Sequence, residues 1–91
     1  MKARLLRIRG RVQGVGYRDW MVREASAARL SGWVRNRADG TVEALLAGEE
    51  AAVGSVLLAA RRGPPGAFVE TIEESFAEPP EEPGFGRRPT L

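Results

Sequence analysis

Three periodicities in the 91-residue chain predict an α+β fold with two helices on one face of an antiparallel sheet. Residues 3–9 alternate with a period of two, residues 17–28 and 49–62 repeat with a helical period, and an Asp-Gly turn joins two further alternating runs. The predicted order is β-α-β-β-α-β plus a short terminal strand. That is the split βαβ, ferredoxin-like pattern. A chain of this length supports one core, so a single domain over residues 1–91 is expected.

The elements follow in order. In the first strand Leu6 and Ile8 face one way and Arg7 and Arg9 the other. A Gly-punctuated loop runs from Gly10 to Arg18. Tyr17, Met21, Ala25 and Ala28, with Trp20, then form one apolar helix face, and Gly32 reads as the helix stop. Residues 33–37 and 41–47 read as a hairpin turning at Ala38-Asp39-Gly40. In the second helix, residues 49–62, the apolar face is Val53, Val56, Leu57 and Ala60. Arg61 and Arg62 suit the negative end of its dipole, and Gly63-Pro64-Pro65-Gly66 ends it. Residues 67–76 read as a fourth strand with Val69, Ile72 and Phe76 as apolar contacts, and their irregular spacing predicts a bulge. The run Glu78-Pro79-Pro80-Glu81-Glu82-Pro83 is an exposed connection, because proline suits neither a helix interior nor a central strand. Residues 84–88 form the terminal strand.

Composition removes many chemistries. The chain has no Cys and no His, so thiolate nucleophiles, Ser–His pairs and the commonest metal ligands are excluded. No metal site and no cofactor is expected. The N-terminal segment is interrupted by charge, and no apolar run spans a membrane, so a cytoplasmic protein without a membrane partner is expected. Charge is divided unevenly. Residues 1–40 carry ten Lys or Arg against three Asp or Glu, and residues 41–91 carry four against nine. A basic first half suits a negatively charged ligand. Thirteen of the 14 basic residues are Arg, which suits planar anion recognition, but a GC-rich genome is the favoured explanation of the total count.

The loop Gly10-Arg11-Val12-Gln13-Gly14-Val15-Gly16-Tyr17-Arg18 lies between a strand and a helix N-terminus. Gly14 and Gly16 allow successive N–H groups to converge on an anion, and the helix adds unbonded N–H groups and the positive end of its dipole. Arg18 can reach the same concavity with a fork that suits two phosphate oxygens. The competing reading is a tight turn with an exposed Arg. In Gly32-Trp33-Val34-Arg35-Asn36, alternation puts Val34 and Asn36 on one face. An Asn at a strand end is commonly a turn former, so its residue type alone does not assign a role.

These stretches resemble the signatures of the acylphosphatase family. The loop is similar to the first signature. Gly32-Trp33-Val34-Arg35-Asn36 with Asp39-Gly40-Thr41-Val42-Glu43 is similar to the second, and Gly63-Pro64-Pro65-Gly66-Ala67 to the segment after the second helix. The resemblance implies hydrolysis of a small-molecule acyl phosphate to a carboxylate and inorganic phosphate without a metal. It implies that Arg18 binds the phosphate, that Asn36 orients the attacking water, and that the backbone of Gln13, Gly14, Val15, Gly16 and Tyr17 forms the cradle. Two departures stand out. Phe85-Gly86-Arg87-Arg88 puts Gly and Arg where the family pattern has packing residues, and Glu74 interrupts the fourth strand.

Other roles compete. Asp19 and Glu24 read as solvated helix N-terminal acids, with a general base as the competing role. Trp20 and Trp33 read as core or rim packing, with base stacking as the alternative. Tyr17 reads as a core anchor with its hydroxyl at the edge. An RNA-binding sheet is a second functional class, with Arg7, Arg9, Arg11 and Arg35 as its footprint. It lacks the alternating paired aromatics such sheets use, so nucleic acid is not expected as a partner. A non-catalytic anion-binding module, like those within larger maturation proteins, is a third reading. A free-standing monomer is expected.

Overall fold

The computed structural model describes residues 2–91. Its elements are β1 (Ala3–Arg11), α1 (Tyr17–Ala27), β2 (Ser31–Asn36), β3 (Val42–Ala47), α2 (Glu50–Ala60), β4 (Phe68–Ala77) and β5 (Phe85–Arg87). They form a five-stranded sheet in the order β4-β1-β3-β2-β5. This is the expected βαββαβ arrangement with a terminal strand. The sheet is antiparallel except at its edge, where β5 runs parallel to β2.

One sheet face carries both helices. Leu6, Ile8, Val34, Val42, Ala44 and Leu46 meet Tyr17, Met21 and Ala25 of α1 and Val53, Val56 and Ala60 of α2 in one buried cluster. The central strand β3 is buried along its whole length. Its other face meets a smaller cluster in which Ala3, Leu45 and Ala47 pack with Leu5, Trp33 and Ala77. The period of two therefore sorts core from surface in β1 and β2 but not in β3, which neighbours cover on both faces. Among the described residues no helix is long and apolar enough to cross a membrane.

Several boundaries differ from the sequence reading. The first helix stops at Arg29, not at Gly32. Arg29 adopts the left-handed region (φ 61°). Its N–H donates to Ser26 O and that of Leu30 to Ala25 O, so the paired bonds of a Schellman end leave Leu30 buried beneath the turn. Gly32 lies inside β2 instead, where a Cβ would run into the Leu45 carbonyl of the neighbouring strand. In α2 the helix ends at Ala60, leaving Arg61 as its cap rather than within its last turn.

The expected bulge is in β4, where pairing with β1 passes from Arg9↔Thr71 to Gly10↔Val69 and leaves Glu70 unpaired. Val69 and Ile72 pack on the core, but Phe76 does not: it is 68% exposed, with the Arg4 guanidinium over its ring. Glu74 interrupts the apolar run because it pairs with Arg4 (3.0 Å) and Arg61 (3.5 Å). At the other edge, β5 is held by its backbone. Gly32 N–H donates to Gly84 O, Arg88 N–H to Val34 O, and Leu91 N–H to Asn36 O. Edge pairing of this kind tolerates Gly86 and Arg87, since only Phe85 of β5 packs against the core.

Candidate active site

The loop between β1 and α1 opens at the helix N-terminus. Gly14 (φ 73°) and Gly16 (φ 80°) hold left-handed conformations that strain residues with a side chain. Gly16 is the N-cap of α1 and supplies no capping side chain, so the first turn keeps its N–H groups unbonded. The first backbone bond of the helix is Trp20 N–H to Gly16 O, 3.1 Å. Among the described residues, no backbone acceptor takes the N–H groups of residues 14–18.

Tyr17 anchors this opening. Its ring is 1% exposed, and its hydroxyl donates to Ala60 O at 2.6 Å. The hydroxyl is therefore in the core, not at its edge. It satisfies a carbonyl that the C-terminus of α2 leaves unpaired, and burial pushes the phenol well above its usual pKa. Gly63 lies against the same ring, where a Cβ would come within 2.7 Å of it. The Gly63–Gly66 turn thus supports α1 from below. With Tyr17 turned inward, the next residue, Arg18, is turned to the loop.

Asn36 is the last residue of β2. Alternation places it with Val34 on the helix face, while Arg35 points to the opposite face. Its Oδ1 is buried and has no hydrogen-bond partner among the described residues. Two devices fix the strand end that carries it. The Gln13 amide donates to Arg37 O (2.8 Å) and to Thr41 O (2.9 Å), tying the loop to the β2–β3 turn. Behind the sheet, the Glu43 carboxylate accepts from Arg35 (2.9 Å) and Arg37 (3.2 Å), the two neighbours of Asn36, and from Arg7 (3.5 Å). Burial works against the Glu43 charge, but the Arg35 hydrogen bond and the charges of Arg35, Arg37 and Arg7 outweigh it and hold the pKa below its ordinary value. In the turn, Asp39 accepts from the Thr41 hydroxyl (2.6 Å) and N–H (3.0 Å), and these bonds lower its pKa too.

The result is a cleft of about 70 Å³ with Gly14, Gly16, Tyr17, Arg18 and Asn36 in its wall. That is room for roughly two waters at about 30 Å³ each, or one small oxyanion. Of the residues expected at the site, these five come together. The Gln13 and Val15 side chains are not in the wall: the Gln13 amide is the staple just described, and Val15 packs on the core, which leaves the backbone of each for the loop. The sequence reading missed Val12 and Arg87 as wall residues; Asp19, read there as a solvated acid with general base as the competing role, is in the wall too. Arg87 had a signal, a cation where a packing residue is expected, but nothing local showed where it would point. A larger hollow of about 670 Å³ lies between Trp33 and the 79–88 segment; it shares Arg87 with the cleft, but Arg18 and Asn36 do not line it.

Arg18 pairs with no acid among the described residues, whereas Arg4, Arg7, Arg9, Arg35, Arg37 and Arg87 each do. The same pairing uses up most of the candidate RNA footprint. Arg7 is held by Asp39 and Glu43, Arg9 by Glu73 and Arg35 by Glu43, which leaves Arg11. Trp33 is a rim residue with Arg35 and Arg88 stacked over it, and Trp20 packs edge-on against Tyr17. Asp19 is exposed and paired with Arg87.

A family model described as Acylphosphatase matches residues 5–86. An acylphosphatase of Acidiphilium cryptum is 62% identical over 90 residues, covering 99% of both chains. The crystal structure of acylphosphatase from Bacillus subtilis superposes with a TM-score of 0.90 at 37% identity, covering 97% of this chain and 99% of that one. A full-length HypF, solved in a phosphate- and nucleotide-bound form, matches with a TM-score of 0.85 at 27% identity, covering 98% of this chain but 12% of that one.

Proposed function

The chain belongs to the acylphosphatase family, an enzyme family that hydrolyses acyl phosphates, and from that premise we propose which of its residues do the work. The substrate phosphate sits on the N–H groups of residues 13–17 and in the fork of Arg18. Asn36 holds the water. The observation that carries this reading is the meeting, in one small cleft, of unbonded loop N–H groups, an Arg without an acidic partner and Asn36.

The chemistry closes with these groups. The leaving carboxylate has a pKa near about 4, as ordinary carboxylic acids do, so it departs without a proton. Water attacks phosphorus, the bond from phosphorus to the acyl oxygen breaks, and the electron pair leaves with the carboxylate. Charge shifting on the phosphoryl oxygens is met by N–H donors and Arg18 that are already in place. The Asn36 side-chain amide aligns the water by hydrogen bonding but takes no proton. A phosphoryl oxygen of the substrate takes it. No step calls for a metal, so turnover in a chelator is expected. Ordinary phosphate monoesters, whose leaving groups need an acid, should react poorly. One chain supplies the whole cleft, which supports a single domain over residues 1–91 acting as a monomer.

The test is paired. Asn36→Ala is expected to abolish most turnover while inorganic phosphate still binds, because aligning water belongs to the chemical step and not to holding phosphate. Unchanged turnover per folded molecule would remove Asn36 from the mechanism and reduce it to a strand end.

A further inference from the structure

Arg87 and Asp19 meet at the mouth of the cleft. Arg87 lies beside Val34 in the parallel pairing of β5 with β2, so its side chain shares the face of Val34 and Asn36. Asp19 follows Arg18 in the first turn of α1. The Arg87 guanidinium donates to Asp19 Oδ1 at 2.6 Å, and both side chains line the same cleft as Arg18. The pair is well solvated, with side-chain exposures of 44% for Arg87 and 60% for Asp19. An ion pair that exposed is weak and readily exchanged.

We propose that Arg87 is a second phosphate-binding cation, masked by Asp19 in the free protein and transferred to the phosphate when substrate binds. The inference rests on the cleft being the phosphate site. A phosphate offers the planar fork more charge and more acceptor oxygens than one carboxylate. Asp19 also occupies the positive end of the α1 dipole, where an anion bound on the loop would sit, so it competes with phosphate twice. It competes for the helix terminus and for Arg87. The exchange keeps the free cleft from holding inorganic phosphate, the product, too tightly.

The experiment is a double-mutant cycle read by inorganic phosphate affinity and by kcat and KM for a simple aryl acyl phosphate. Arg87→Gln is expected to weaken phosphate binding by about threefold to tenfold, the size of an exposed charge-assisted contact, and to raise KM more than it lowers kcat. Arg87→Lys keeps the charge and should recover part of the loss; it also serves if the Gln variant folds poorly. Asp19→Asn should tighten phosphate binding by about the same factor. In the Arg87→Gln background that gain should shrink, because no cation remains to be released. Phosphate affinity in Arg87→Gln within about twofold of the parent would overturn the proposal. So would an equal gain from Asp19→Asn in both backgrounds, which would make Asp19 a simple repulsive charge. Arg18→Ala separates the two levels: if it leaves phosphate binding intact, the cleft itself is misassigned, whatever Arg87 does.

Discussion

Replacing Glu43 by Gln removes one charge from beneath three guanidinium groups and keeps the side chain's shape. Glu43 is 6% exposed and lies 2.9 Å from Arg35, 3.2 Å from Arg37 and 3.5 Å from Arg7. Removing one member of a fully buried ion pair costs about 3–5 kcal/mol, because the partner charge stays behind uncompensated. Here the three Arg side chains are 19–27% exposed, so water recovers part of that cost. Gln also keeps an acceptor for one of them. A loss of about 2–3 kcal/mol follows, against a total stability of roughly 5–13 kcal/mol for a chain this long. The corresponding fall in Tm is about 10–20 °C. The pH dependence has a definite sign. The folded pKa of Glu43 lies below its ordinary value of 4.5, so its contribution is complete above that value and disappears as pH falls through the folded pKa. Urea melts of parent and Glu43→Gln at pH 7, repeated in steps into the acid range, should show a gap that is widest at neutral pH and closes below pH 4.5. A gap under about 0.5 kcal/mol at pH 7, or one that stays constant into acid, would refute the assignment of Glu43 as the charge that holds this face together.

Three further outcomes are expected. Arg18→Ala should lose about 100–1,000-fold in turnover, as for one transition-state donor, and Arg18→Lys should remain severely impaired because the planar fork is gone; near-normal rates in steady-state assays would count against both. Phosphate release from an acyl phosphate should persist in EDTA, and activity lost there and restored by a divalent ion would contradict the Arg, Asn and backbone scheme. Tyr17→Phe leaves the Ala60 carbonyl buried and unpaired, so it should cost about 1–3 kcal/mol by thermal melting, and a neutral result would mean that carbonyl finds another donor.

Much of this was open to a reader of the sequence alone. Leu6 and Ile8 announce a half-buried strand, Tyr17, Met21 and Ala25 announce one helix face, and Gly14 and Gly16 before Arg18 announce a loop that can hold an anion. Each signal is local: it depends on backbone conformation and on a period of two or 3.6. Because the elements are short and their order is simple, those periods also determine the fold class. They bring Asn36 to the helix face of its strand without any knowledge of its neighbours.

Tertiary structure alone decided the contacts between side chains far apart in the chain. Arg87 and Asp19 are 68 residues apart and meet only because β5 adds to the edge of the sheet beside β2. Gln13 appears in the sequence as one loop residue among several, and its role as a staple depends on where the β2–β3 turn lies in space. Phe76 reads as core but lies exposed, because on the edge strand β4 its register partner is Arg4, whose guanidinium lies over the ring, and not a core residue. Arg29 ends its helix in a left-handed conformation that no Gly advertises, held by the burial of Leu30. The physical reason is the same in each case. Periodicity is written in backbone geometry, repeated residue by residue, whereas the partner of an arginine or a phenol is set by sheet order and register, which the chain acquires only when distant segments pack.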